Sequence, residues 1–267
     1  MPLTDAPRDL LALATRLALE AGVELLGRQA GLSVEQAQTK SSGTDPVSAA
    51  DRASERLIVT GLAAERPKDG VLGEEGARTA SVSGLTWVID PLDGTVNYLY
   101  GRPDWCVSIA VEDGEGALAG VVHQPTTGIT WSAVRGAGAT RDGRPLQLRT
   151  SRGLAEALVA TGFSYLADRR AEQAEYLGRV LPGVRDLRRG GSAALDLCSV
   201  ADGTADAYYE HVIQPWDVAA GALIAREAGA TTVGGPGTPL PGGLLAAPAG
   251  LAEALLGLLD PSRKRVA

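Results

Sequence analysis

Residues 87–95 read Trp87-Val88-Ile89-Asp90-Pro91-Leu92-Asp93-Gly94-Thr95, and no other stretch constrains the chain as much. The apolar run Trp87-Val88-Ile89 specifies a short buried strand that stops at Asp90. Pro91 fixes one backbone angle of the following turn, and Gly94 lets the backbone pass close to a neighbour. Two carboxylates three positions apart therefore stand on one rigid turn at the end of a buried strand. Carboxylates crowded in that way repel unless a hard cation lies between them. Thr95 adds a hydroxyl, and the N–H groups of Gly94, Thr95 and Val96 open the next helix, a place for an anion. The segment reads as a divalent-cation site beside a phosphate cradle. A plain type I turn, with Asp first and Pro second, also accounts for it without any chemistry. A calcium EF-hand does not, because Gly101 stands where the loop needs its Glu, and a Walker phosphate loop lacks its Gly-Lys-Ser/Thr.

The remaining sequence narrows the class. A chain of 267 residues, 45% hydrophobic and 21% charged, is long enough for a substantial core in one large or two intimate domains. A net charge of −7 with no offsetting basic patch argues against nucleic acid as a partner. Cys106 and Cys198 lie in apolar segments without CxxC spacing, which suits buried free thiols in a reducing compartment. No apolar stretch reaches membrane-spanning length, so a cytoplasmic enzyme is expected.

Helical and extended segments mix throughout. Leu10, Leu13, Leu17, Ala21 and Leu25 recur at helical spacing. A polar loop from Lys40 to Pro46 leads into a second helix that begins about Ser48, carries Leu57, Ile58 and Leu62, and ends before Pro67. Val71-Leu72 is a short strand running into Gly73-Glu74-Glu75. Strands are expected at 87–89, 105–112, 117–123 and 129–134, with hairpin turns at Asp113-Gly114 and Asp142-Gly143. After about residue 150 the pattern becomes alternation: strands near 157–161, 185–189, 205–209, 231–233 and 243–247, and helices near 168–180, 216–228 and 249–259, with another opened by Gly190-Gly191-Ser192. The expected organisation is one domain over 1–267, with a metal-motif half (1–150) built on antiparallel sheet and an alternating half (151–267).

Three further segments carry possible chemistry. Gly73-Glu74-Glu75-Gly76 sets two acids on a turn directly after a short apolar strand, repeating the design at Asp90, although acidic surface turns are common. Asp217 in Trp216-Asp217-Val218-Ala219-Ala220-Gly221 opens a helix whose small residues permit close packing; taken alone, an N-cap is the better account of it. Asp51, at the start of the second helix, also reads as a cap on its own. His123 and His211 are isolated and do not make a zinc site.

Taken together these segments resemble the inositol monophosphatase family, within the superfamily of magnesium-dependent, lithium-sensitive sugar phosphatases. The resemblance spans nearly the whole chain. Its most specific pieces are Gly73-Glu74-Glu75, Trp87 through Tyr98, and Trp216 through Gly221, supported by 45–51, 190–194 and 206–210. It implies an α/β (α+β) fold, a layered α-β-α-β-α sandwich of the inositol monophosphatase and fructose-1,6-bisphosphatase type, and a homodimer. It implies two to three Mg2+ ions: one on Glu74, Asp90 and the Leu92 carbonyl, one on Asp90, Asp93 and Asp217, and a weaker third sharing Glu74. All-oxygen ligands suit magnesium. Gly94 and Thr95 are implied to hold the phosphate. Gly191, Ser192, Ala193, Glu210 and Asp93 are implied to meet the polyol hydroxyls, with Asp217 beside them. The implied reaction is in-line attack of water on phosphorus without a phosphoenzyme, with Thr95, hydrogen-bonded to Asp51, orienting that water and Glu74 assisting.

The expected substrate is inositol 1-phosphate. Asn97-Tyr98 after Asp-Gly-Thr looks like the inositol monophosphatase branch, and Glu210 favours a neutral polyol because a carboxylate repels a second phosphate. Histidinol phosphate and fructose 1,6-bisphosphate stand as alternatives, since His211-Val212-Ile213-Gln214-Pro215 departs from the family's commoner wording. A reading of another class also stands: a protein- or RNA-associated factor that uses the same fold through its surface.

Overall fold

The computed structural model describes residues 7–29, 38–39, 46–47, 49–150, 153–234 and 238–260. The polar loop from Lys40 to Asp45 and the residue Ser48 lie outside them. The elements in chain order begin with α1 (Pro7–Gln29), β1 (Gln38–Thr39), β2 (Pro46–Val47) and α2 (Ala49–Glu65). Next come β3 (Gly70–Gly73), β4 (Arg78–Thr79), β5 (Thr86–Asp93), α3 (Thr95–Leu99), β6 (Cys106–Asp113), β7 (Gly116–Gln124), β8 (Ile129–Val134), β9 (Gly138–Arg141) and β10 (Arg144–Pro145). The second half contributes β11 (Leu158–Thr161), α4 (Ala167–Val180), β12 (Asp186–Arg188), α5 (Ala193–Ala201), β13 (Ala207–Glu210), α6 (Pro215–Glu227), β14 (Thr231–Gly234), β15 (Leu244–Ala247) and α7 (Ala249–Leu259).

Strand β5 and its neighbours form an eight-stranded sheet in the order β10-β9-β8-β7-β6-β5-β3-β4. Alternation along these strands serves two different partners, because successive side chains point to opposite faces. Ile89, Ile109 and Val121 meet Leu10, Leu17 and Leu25 of α1 and Ile58 and Leu62 of α2. Val88, Ala110 and Val122 meet Ala194 and Cys198 of α5 and Ala220 and Leu223 of α6. Each fully buried Ile or Leu in these layers contributes about 1.5–3 kcal/mol. The five α1 residues picked out by helical spacing are all buried.

A second, five-stranded sheet runs β12-β11-β13-β15-β14. One face, through Ala160, Tyr208 and Ala246, lies on Leu197 and Val200 of α5 and Ala222 and Ala225 of α6. The other, through Val159, Tyr209 and Leu245, lies on α4 and α7 through Val180, Leu251 and Leu255. The order of layers is therefore α1/α2, large sheet, α5/α6, small sheet, α4/α7: the α-β-α-β-α sandwich. The central helices fit between the sheets because their contacting residues are small. A Cβ on Gly120 of β7 would come within 3.0 Å of the Ala220 backbone, and one on Gly221 within 2.9 Å of Leu197.

Two local expectations need correction. Strand β5 does not stop at Asp90. It pairs with β6 at Asp90↔Ser108, shifts register, and pairs again at Asp93↔Cys106. Pro91 has no N–H to give the ladder, so one extra residue bulges out and re-aims both aspartates. The sequence reading also passed over β4, β9 and β10, which are too short to show a period. The Asp142-Gly143 turn does close a hairpin, β9 to β10, with positive φ at both residues (50° and 73°).

Candidate active site

The site is built where strand ends meet helix starts. Strand β3 runs parallel to β5 with Gly73 opposite Ile89, the last pair between them, so the next residues, Glu74 and Asp90, stand side by side. Helix α2 clamps both exits from below. The Glu55 carboxylate accepts the amides of Glu75 (2.8 Å) and Ala77 (2.9 Å), and the Ser54 hydroxyl donates to the Pro91 carbonyl at 2.8 Å. Gly94 then turns the chain into α3 with φ 94°, and a Cβ there would come within 2.8 Å of the Asp104 carbonyl. Position 94 requires glycine for both reasons.

One cleft gathers these exits. Glu74, Asp90, Leu92, Asp93, Gly94, Thr95, Gly191, Ser192, Ala193, Glu210 and Asp217 all line it. Every expected site residue except Asp51 is thus brought together from segments up to 143 positions apart in sequence (217 − 74). Asp51 is buried in the first turn of α2 and does not line the cleft. Here the expected relay needs correction: the Thr95 hydroxyl donates to the Leu92 carbonyl at 3.1 Å rather than to Asp51. The cause is local, since a hydroxyl at a helix start reaches a carbonyl three residues back without any tertiary rearrangement.

Ser192 also differs in detail from expectation. It is the N-cap of α5, accepting the Leu195 amide, and it donates to Asp93 Oδ2 at 2.7 Å. The Ala194 amide reaches the same oxygen at 2.7 Å. The start of α5 thus binds the Asp93 carboxylate, a favourable place for negative charge. Asp217 is the third residue of α6 rather than its cap. Its Oδ2 accepts the Gln214 amide at 2.9 Å, one arm of a capping box.

The electrostatics follow from burial. Asp90 is pushed well above the usual carboxylate range by desolvation, then by the charges of Glu74, Asp93 and Asp217. Burial raises Asp93 to about 6, against the lowering influence of Ser192 and the Ala194 amide. Asp217 rises through burial and the Asp93 charge. Among the described residues no three His, Cys, Asp or Glu side chains enclose an ion as they stand. Asp93 and Asp217 are engaged with amides and a hydroxyl, and Glu74 with Asp90. The donor set nevertheless fits a hard divalent cation: four carboxylates line one cleft with Leu92, and a cation would relieve the repulsion that otherwise holds protons on them. Neither histidine lines the cleft.

Five cleft residues were not picked out from the sequence. Gly162, Phe163 and Tyr165 come from the turn after β11, Arg189 from the end of β12, and Asp196 from α5. Two signals were available. Thr161-Gly162-Phe163 ends an apolar strand in glycine, as Val71-Leu72-Gly73 does. Asp196 is an acid between Leu195 and Leu197 in an apolar helix; it is buried, and desolvation followed by the charges of Asp93 and Glu210 raises it well above its ordinary value.

Comparison with known proteins gives the family. The sequence pattern of the inositol monophosphatase family matches residues 6–263. The inositol-1-monophosphatase SuhB of Mycobacterium tuberculosis (strain ATCC 25618 / H37Rv) is 45% identical, over 96% of this chain and 95% of that protein. The Nus factor SuhB of Xylella fastidiosa (strain Temecula1 / ATCC 700964) is 46% identical over 70% of this chain and 68% of its own length. The crystal structure of the extragenic suppressor protein suhB from Bartonella henselae superposes with a TM-score of 0.86 at 32% identity, covering 95% of this chain and 99% of that one. A family pattern over nearly the full length, and a relative 45% identical over 96% of the chain, give one answer: the chain belongs to the inositol monophosphatase family, phosphatases whose activity depends on metal ions.

Proposed function

We propose that this protein hydrolyses inositol 1-phosphate to inositol and phosphate with magnesium as its metal. The observation that carries the reading is the single cleft on which the four carboxylates, the Gly94–Thr95 turn and Glu210 converge. Glu74, Asp90, Asp93, Asp217 and the Leu92 carbonyl would hold the cations, and hard oxygen donors favour magnesium. When bound, the cations supply a nucleophilic water at neutral pH and offset charge on the leaving oxygen. The chain's own part is positioning. Gly94 and Thr95 receive the phosphate at the start of α3. The α5 start, through Ser192 and Ala194, holds the Asp93 carboxylate in one orientation. Glu210 and the Gly191–Ala193 turn face the alcohol. Thr95 reaches the attacking water by turning its hydroxyl away from Leu92.

Phosphate release decides the matter. Inositol 1-phosphate, histidinol phosphate, fructose 1,6-bisphosphate and glycerol 2-phosphate are compared with magnesium, with calcium and after exhaustive chelation. Hydrolysis of inositol 1-phosphate with the highest kcat/KM, dependent on magnesium and inhibited by calcium, is expected. Full activity after chelation, or a clear preference for another ester, refutes the corresponding part. The relative named a Nus factor supports a second reading, a protein- or RNA-associated factor that acts through its surface. Specific capture of a protein or RNA from native extract by the Asp90→Asn variant tests that role apart from catalysis.

A further inference from the structure

Glu210 occupies an unusual seat. It ends β13, and pairing of β13 with β11 at Thr161↔Tyr209 sets Gly162 beside it. A Cβ on Gly162 would overlap the Glu210 carboxylate, so the carboxylate rests on bare backbone where any other residue would exclude it. Two positions earlier on the same strand face, Tyr208 is fully buried among Leu197, Val200 and Ala222. Its hydroxyl donates to Glu210 Oε2 at 3.0 Å. Burial and the Glu210 charge push the Tyr208 phenol well above its ordinary value, so it remains a donor. Oε1 makes no hydrogen bond among the described residues, and the residue lines the cleft.

We propose that Tyr208 and Gly162 are positioning residues that set alcohol selectivity, Tyr208 by pinning Oε2 and Gly162 by making the room, so that Oε1 alone meets a substrate hydroxyl. The proposal rests on the polyol-phosphatase reading above. A carboxylate held at one oxygen loses little rotamer freedom on binding, so its remaining oxygen distinguishes an alcohol with a hydroxyl at the right place from one without. Both residues act through Glu210, so the effect falls on the alcohol side of the substrate.

The test is the ratio of kcat/KM for inositol 1-phosphate to that for p-nitrophenyl phosphate, whose leaving group has no neighbouring hydroxyl. Tyr208→Phe removes a buried hydrogen bond to a charged group and should lower this ratio roughly tenfold or more, mainly through KM for inositol 1-phosphate. Gly162→Ala should do the same, and it should fold, because what stands in the way is the far end of a flexible side chain. In a Glu210→Gln background Tyr208→Phe should lower the ratio by less than twofold, since the group it positions has been altered. Equal losses on both substrates, or a Tyr208→Phe effect undiminished by Glu210→Gln, overturn the proposal while leaving the phosphatase reading intact. A wild-type protein that hydrolyses neither ester with magnesium overturns both.

Discussion

Val212 has φ 68°, in the left-handed region that β-branched residues avoid. It lies on the segment joining Glu210 at the end of β13 to Asp217 in the first turn of α6, so the strain sits between two cleft residues. A non-glycine residue held there costs about 1–2 kcal/mol. Replacing it by glycine removes that cost but adds about 0.5–1 kcal/mol of chain entropy to be lost on folding. It also gives up the packing of a partly exposed side chain. Alanine gives up the same packing and retains most of the strain, so it is the proper reference. The backbone contribution alone then places Val212→Gly above Val212→Ala by about 0.5–1 kcal/mol. This reverses the order found at ordinary positions, where glycine is the less stable of the two. For a chain of this size the difference corresponds to a Tm higher by about 1–4 °C. Thermal melts of the two variants under identical conditions, with urea titrations at matched m-values, measure it. A Val212→Gly protein that melts at or below Val212→Ala refutes the strain argument. If the strain also fixes Glu210 against Asp217, Val212→Gly should raise KM while it raises Tm.

Other expectations follow from the site and its supports. Asp90→Asn removes charge from the carboxylate that Glu74, Asp93 and Asp217 all crowd, and should abolish both magnesium binding by calorimetry and turnover. Thr95→Ala should cut kcat by about 10²–10⁴, the usual worth of proton-transfer assistance, with a much smaller loss of metal affinity; near-normal turnover would exclude a role for that hydroxyl. Burial raises Glu210 to about 7, and an acid raised by folding contributes most below its ordinary 4.5 and loses that contribution as pH rises through 7. Glu210→Gln should therefore stabilise the protein at pH 8 by about 1–3 kcal/mol, shrink to no effect at pH 4, and weaken discrimination between inositol 1-phosphate and glycerol 2-phosphate. Asp69 has the opposite sign: burial pushes it up, but hydrogen bonds from Arg66, Ser83 and Trp87 together hold it below its ordinary 3.8. Its contribution is complete above that value and is lost as pH falls through the lower folded value, so Asp69→Asn should cost about 1–3 kcal/mol in denaturant titrations at pH 7 and progressively less below pH 4.

The sequence by itself determined the elements and the donor chemistry. Leu10 to Leu25 at helical spacing, Val71-Leu72 and Trp87-Val88-Ile89 as short apolar runs, and a break in the backbone pattern at Pro91 and Gly94 are local statements. They follow from periodicity, from the missing N–H of proline and from the freedom of glycine. Which carboxylates would share a cleft was legible only through family resemblance, because no local rule ties position 74 to position 217. The tertiary structure decided that through register and close approach. Parallel pairing of Gly73 with Ile89 brings Glu74 beside Asp90, and the small faces at Gly120 and Gly221 let α6 carry Asp217 between the sheets. It also decided where single hydrogen bonds go. Asp93 finds the start of α5, 101 positions away, and Glu210 finds Tyr208 and the bare edge of Gly162. Thr95, by contrast, turns to its own Leu92. A sequence specifies which groups are able to donate and accept, but a bond forms with whichever partner folding brings within about 3 Å, and that distance is a property of the assembled layers.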